Sequence, residues 1–489
     1  MVERLEDRTV PVVTNINITQ TPVGGSHKSE GTIGVDPTNS NHLFAASNGG
    51  SARYSTNAGV SWQPSIVSQI PPQDTDPQAT FDTYGNLYLT YMTDTDPDPN
   101  VELYKVVVAE SFDAGASFQQ SQMFGGSAGT DQPSIAAGPG GATIAPVQVA
   151  VSYQDRGSGC ISFSAAQVSG FGLVDLFGAV RTVPGSLNAN FGDIKIGPEG
   201  SGIQGHIMVT YQVPTGDAGP SQIYVNLAPP LLLPFGFGGP VLVTRTNVGG
   251  QFKPTPGNGA RGIDAEANLA WDRSGNFHPG DDGRVYLVYV DSPAVGSFDT
   301  DIFVRHSDDS GLTWSERQRV NDDDPGAGQF MPQIAVNQYN GSVAVAWYDT
   351  RNDPSGVSSQ LFASVSIADG PWLANRRISK GVSNAGLSLD PNGFGDYNTM
   401  DVVSGADGYF YPIWADNSPA GLTPLNRITP KCDMATAKVR FLDFLLPAAP
   451  EVGIVQVNDG TAQRSEVPSP SRAPSRSPAA TPTPRPRSN

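Results

Sequence analysis

The sequence predicts an all-β fold: a single β-propeller of four-stranded blades, seven by count, with six as the alternative. Three observations predict it. The first is a turn pattern, Ser-x-Asp/Asn-x-Gly-x-Ser/Thr-aromatic, which occurs at Ser55–Trp62, Ser111–Phe118 and Ser307–Trp314. The second is a longer repeat of roughly 45–75 residues around those turns, the range of long propeller blades. The third is composition: 55 Gly and 42 Pro in 489 residues, without runs of Ala, Glu, Lys and Leu at helical spacing, favour turns over helices. Four strands per unit, set around one axis, leave only short protected edges.

Each turn lies between an apolar alternating run and a second short run, which reads as a hairpin. In Ser307–Trp314, Asp309 can accept backbone N–H groups across the turn. Gly311 can take a positive φ that a Cβ would resist. Trp314 then packs against the neighbouring sheet. Trp62, Phe118 and Trp314 are therefore expected to be buried between sheets and not to bind ligand.

Inner strands are expected to begin near Gly31, Pro77, Gln132, Gly192, Ala265, Met331 and Asp396. The second strands are His42–Ser47, Leu87–Met92, Val147–Gln154, His206–Gln212, Val285–Val290, Ser342–Tyr348 and Tyr409–Trp414. The stretch Val168–Arg181 is the place where a blade is most easily misread. Units three, four, six and seven lack the full turn pattern, and the seventh lacks a fourth strand. Val10–Ile18 could supply it from the N-terminus, with Glu451–Val457 as the competitor. The organisation is then a short segment over 1–13, a propeller over 14–444, an extension over 445–461 and a Pro/Ser/Arg-rich tail over 462–489 whose composition cannot bury a core.

The net charge of −18 argues against a nucleic-acid partner. No apolar run approaches the roughly 20 residues of a membrane-spanning helix. Two cysteines, Cys160 and Cys432, exclude a Cys-based zinc site and a disulfide framework, and they lie in distant repeats.

Chemistry is expected on one face. Loops that leave the second strands open on the same side as loops that enter the inner strands, and the patterned turns open on the other. The first set carries Asp94, Asp96, Asp98, Asp155, Arg156, Asp217, Asp291, Asp349, Arg351, Asp353 and Asp416. The entry loops carry Asp74, Asp76, Asp131, Asp193, Asp264, Glu266, Asp322–Asp324 and Asp396. Two stretches are sharper: Trp347–Asp353, with Asp349 and Arg351 two apart, and Gly393–Met400, with Asp396 and Tyr397 at the mouth of the last inner strand. No cofactor motif is read, and no metal ligand set; a single structural calcium is compatible with the oxygen donors. Gly125–Gly129 matches a nucleophile elbow but has no helix behind it. Asp94–Asp98 imitates the start of an EF-hand, but two prolines and Lys105 exclude one.

The three turns resemble the Asp-box, or BNR repeat, of the sialidase-like β-propellers of exported bacterial proteins. The segment from Leu5 to Pro11 also looks like a tag at the start of exported proteins, which places the chain outside the cell or in its envelope. The resemblance implies glycan binding, and glycan hydrolysis of the exo-sialidase kind, at one axial face; the alternative is a non-catalytic scaffold for protein or cell-surface contact. In a sialidase-like site three arginines bind the substrate carboxylate, and Arg156, Arg261 and Arg351 are the candidates. Tyr397 is the candidate nucleophile, Glu266 its base and Asp76 the acid. Asp349 and Asp396 complete the candidate substrate-binding set. One departure weighs against sialic acid: the Arg-Ile-Pro signature of the first blade is absent, since Glu30–Asp36 holds no arginine. Losing one of three clamps leaves an anionic substrate poorly paired.

Overall fold

The structure is a computed structural model, and it describes residues 13–19, 26–98, 100–140, 147–198, 205–216, 219–230, 236–249, 255–259, 261–274, 283–388, 390–418 and 431–446. It is all-β, with seven antiparallel sheets. Each inner strand packs on the inner strand of the next sheet, and the seventh packs on the first, so the ring is closed. This is a seven-bladed β-propeller with almost no helix.

The inner strands are Thr32–Val35, Thr75–Phe81, Thr130–Pro139, Asn190–Ile196, Asn268–Asp272, Gln329–Asn337 and Met400–Val403. The second strands are Leu43–Ser47, Leu87–Asp94, Val147–Asp155, Ile207–Pro214, Arg284–Asp291, Ser342–Asp349 and Tyr409–Asp416. These second strands are almost wholly buried because both of their faces are covered by neighbouring blades. Hence they read as continuous Val, Ile, Leu and Tyr runs rather than clean alternations. In blade 3 the outer edge is broken: Leu173–Val174 and Arg181–Thr182 pair separately with Cys160–Gly170. That break is the irregularity in Val168–Arg181.

The N-terminal strand closes the ring. Asn15–Asn17 pairs with Asp433–Ala437 as the fourth strand of blade 7. Asn17 Nδ2 and Thr19 Oγ1 both donate to the Asp433 carboxylate, at 2.8 and 2.7 Å. The alternative strand Glu451–Val457 lies outside the described residues, as do 1–12 and 447–489, where most of the two terminal segments and the tail fall. Phe441 and Phe444 pack on Phe410 just past the last strand.

The patterned turns share one hydrogen-bond scheme. The Ser hydroxyl accepts from the Gly N–H at 2.8–3.0 Å in Gly59, Gly115 and Gly311. The Asn or Asp side chain accepts the N–H two residues past that Gly, at 2.8–2.9 Å. The expectation of burial between sheets holds for Phe118, which packs on Phe44. Trp62 and Trp314 also pack against the core but are only partly buried. Each indole lies over its own turn and donates Nε1–H to the Gly59 or Gly311 carbonyl at 3.1 Å, so one ring edge stays in solvent. Phe118→Ala is accordingly expected to cost about 3–5 kcal/mol, and Trp314→Ala roughly half as much, in urea unfolding.

Candidate functional site

Five inner strands are entered through a residue in the same backbone state: Glu30, Asp76, Gln132, Glu266 and Met331, each followed by Gly, Pro or Ala, have φ between 43° and 55°. In blades 2, 3, 4 and 6 the pairing of inner and second strands also shifts register at this point, as at a bulge. A non-glycine residue held there costs on the order of 1–3 kcal/mol, and such strain clusters at functional sites. The repeated entry turn gathers polar side chains of several blades at one end of the axis, opposite the patterned turns.

A cavity of about 620 Å³ opens there, within the usual range for ligand pockets. It is lined by entry loops of blades 1, 2, 3, 4 and 7, by ends of second strands, and by Arg261 of the loop before blade 5. Four carboxyl groups form its floor: Glu30, Asp76, Asp131 and Asp396. Asp74, Glu102 and Asp390 stand farther out. Arg156 pairs with Asp131 at 2.7 Å, and Arg261 with Asp396.

The Glu30 and Asp76 carboxyl groups are close enough for each to act on the other's proton. Asn48 fixes both: its amide nitrogen donates to Glu30, and its oxygen accepts the Asp76 N–H at 2.7 Å. Burial, then the charges of Asp396 and Asp76, raise the Glu30 carboxyl well above the usual range. Burial, then Asp131 and Asp396, push Asp76 up to about 7. Burial also raises Asp131, against the pull of Arg156. The pair is therefore a proton reservoir poised near neutrality, which suits general acid–base work.

Asp396 is placed by its loop. Phe394 is buried and stacks on Tyr348, ring centroids 4.7 Å apart and planes 4° from parallel. The fully buried Asn258 accepts the Phe394 N–H at 2.8 Å and donates to the Gly395 carbonyl at 2.8 Å. Gly395 has φ +89°, and a Cβ there would strike the Glu30 side chain. The glycine thus lets Asp396 and Glu30 share one floor.

The candidate residues divide into three groups. Asp76, Arg156, Arg261 and Asp396 come together in the axial cavity. Tyr397 and Glu266 line a narrow pocket of about 30 Å³ in the channel beneath, which shares Gln132 and Asp396 with the cavity. The Tyr397 hydroxyl donates to the Pro77 carbonyl at 3.3 Å. Burial and the surrounding Asp76, Glu30 and Asp396 charges raise its pKa well above that of an ordinary tyrosine. Glu266 makes no hydrogen bond of good geometry; the Met331 N–H is the nearby donor that favours its charge. Burial, then Asp264 and Asp396, raise it well above the carboxylate range.

Asp349 and Arg351 stand apart, and the expectation that they join Asp396 at the axis is corrected. Asp349 is buried; it accepts Trp347 Nε1–H at 2.8 Å and Arg351 Nε–H at 2.9 Å. Arg351 also reaches Asp322 at 2.7 Å and Asn375 at 2.9 Å, with its guanidinium 4.6 Å over Phe362. It borders a separate groove of about 660 Å³ that shares no lining residue with the axial cavity. The pair ties the loop before blade 6 to that blade. Among the described residues no group of three His, Cys, Asp or Glu side chains is disposed to hold a metal ion.

Glu30 and Asn48 are the members that loop-reading passes over. Aligning Ser29-Glu30-Gly31 with Thr75-Asp76-Pro77 and Asp131-Gln132-Pro133 would have found Glu30.

No family model matches the chain, and no curated protein matches it in sequence. Several solved structures are similar in shape. An α-L-arabinofuranosidase from Fusarium graminearum, in complex with an iminosugar inhibitor, is 11% identical over 88% of this chain and 99% of its own, with TM-score 0.42. A Hadza microbial sialidase is 10% identical over 82% and 73%, with TM-score 0.41. YCF48 bound to D1 peptide is 12% identical over 88% and 97%, with TM-score 0.42.

Proposed function

We propose that the protein binds an extracellular glycan in the axial cavity and hydrolyses it by acid–base chemistry centred on Glu30 and Asp76. The observation that carries this reading is the buried Glu30 and Asp76 carboxyl pair, both residues held by Asn48, on the floor of a ligand-sized cavity. The pair would give its proton to the glycosidic oxygen as the C–O bond breaks. Water would then add to the anomeric carbon and return a proton to the pair. Asp131 and Asp396 lie close enough to balance positive charge developing on the sugar.

The sialidase scheme is the weaker version. Arg156 and Arg261 are each occupied by a carboxylate, and Arg351 lies elsewhere. Tyr397 is desolvated and unactivated. A carboxylate pair therefore replaces the tyrosine nucleophile in this reading.

Asp76→Asn tests it. Asparagine tolerates the positive φ at this position. The variant is expected to lower turnover about 10²–10⁴-fold on any oligosaccharide that the native chain cleaves, with Tm unchanged or higher. Unchanged turnover in a folded variant would remove Asp76 from the chemistry. A second reading, a non-catalytic scaffold, is favoured by one separate feature: Phe171, Leu173 and Leu176 stand exposed together along the broken edge of blade 3. In that reading Asp76→Asn has no functional effect, and Leu176→Asp does.

A further inference from the structure

We propose that the axial cavity selects glycans bearing free amino groups, that is, oligomers of unacetylated amino sugars. This rests on the reading of the cavity as a glycan site.

The first argument is the charge that the wall leaves unneutralised. Seven carboxyl groups line the cavity against two arginines, so acids outnumber the arginines even when Glu30 and Asp76 hold their protons. Both arginines are spent within the wall, Arg156 on Asp131 and Arg261 on Asp396. An anionic ligand would have to displace a carboxylate from an arginine and then sit among the remaining acids. His27 adds no positive charge. Its Nε2–H donates to the Gly393 carbonyl at 2.6 Å, and its Nδ1 accepts the Cys432 N–H at 3.2 Å, so the neutral ring is satisfied.

The second argument is independent and lies below the floor. Glu266 is 4% exposed, lines the channel pocket, and has neither oxygen in a hydrogen bond of good geometry. No cation among the described side chains is bonded to it. Beside it Asp264, fully buried, leaves Oδ2 unpartnered. Such groups are costly to bury without a partner. An ammonium seated over Asp396 and Gln132, the two residues shared by channel and cavity, would favour the ionised form of Glu266, displacing its proton, and would then be attracted by that carboxylate and by the floor together, in a site where water screens little. An N-acetyl group in that place forfeits the attraction.

The test is calorimetric titration of the full chain with a glucosamine oligomer, its N-acetylated counterpart, a neutral arabinose oligomer, a sialylated trisaccharide and spermine. The glucosamine oligomer is expected to bind about tenfold or more tightly than the acetylated one, with an affinity that falls as salt rises. Arg156→Gln, at a side chain 45% exposed, uncovers Asp131 and is expected to strengthen that binding several-fold. Glu102→Gln, on the exposed rim, is expected to weaken it. Equal or tighter binding of the acetylated, neutral or sialylated sugar, or weaker glucosamine binding in Arg156→Gln, overturns the selectivity and leaves the glycan reading standing. Failure of every sugar, with or without binding of spermine, overturns both.

Discussion

Replacing Asp349 by alanine is expected to destabilise the protein by about 3–5 kcal/mol, the range for breaking a buried ion pair from one side. The carboxylate has no exposed side-chain surface, and it serves three partners. Without it the fully buried Trp347 loses the acceptor of its indole N–H, and the buried Gln329 amide loses a bond at 3.3 Å. Arg351 keeps Asp322 and Asp323 but no longer has its innermost counter-ion. Asp349→Asn keeps the shape and one acceptor, so it should cost clearly less. Urea unfolding of the two variants measures the difference. Loss of glycan binding in Asp349→Ala with stability unchanged would mean that this pair is a ligand site after all.

Stability is expected to fall as pH rises from about 4 to about 7. Glu30, Asp76, Asp264 and Glu266 all have carboxyl pKa values raised by folding, with burial as the first cause. Across that window the folded chain holds protons that the unfolded chain has released. The slope of unfolding free energy against pH is then negative. For Asp76, raised from 3.8 to about 7, the loss is on the order of 4 kcal/mol if the group ionises with nothing bound. Asp113, Asp309 and Asp353 have lowered pKa values and work the other way, but only as the pH falls through the ordinary carboxylate range and below. The optimum should therefore lie on the acid side of neutrality. Tm measured from about pH 4.5 to about pH 8 checks this. Asp76→Asn and Glu266→Gln should each flatten the decline. A profile that rises toward neutrality would show that these carboxylates are ionised and paired in the fold.

The ring of blades was legible because burial on both faces writes each second strand as an apolar run, and because the Ser/Asp/Gly turn must recur where it is built. Closure by the N-terminal strand was visible as one of two alternating candidates. The face of the site was visible too, since strand order alone decides which loops open together. Radial position was not. Asp349 and Arg351 flank a second-strand exit as Asp155 and Arg156 do, yet only Arg156 reaches the axis. Nothing in a two-residue spacing says how far from the axis a loop will fold back. Glu30 was read for the arginine its segment lacks, although the Gly or Pro after Glu30, Asp76 and Gln132 marks the entry turn that they share, each at positive φ.

The closing strand also sets an order of events in folding. Asn17 and Asp433 are 416 residues apart in sequence. The entropy of so long a closure grows only slowly with length, but contacts this non-local form late. Blades 1 to 6 can assemble from neighbouring segments while the third strand of blade 7 still lacks its partner. Until then that strand is an open edge, able to pair with any chain that offers a matching sequence. The best match is the first strand of another copy. At high concentration during refolding, the three residues that seal one ring can seal its neighbour instead, giving exchanged dimers or open chains of propellers.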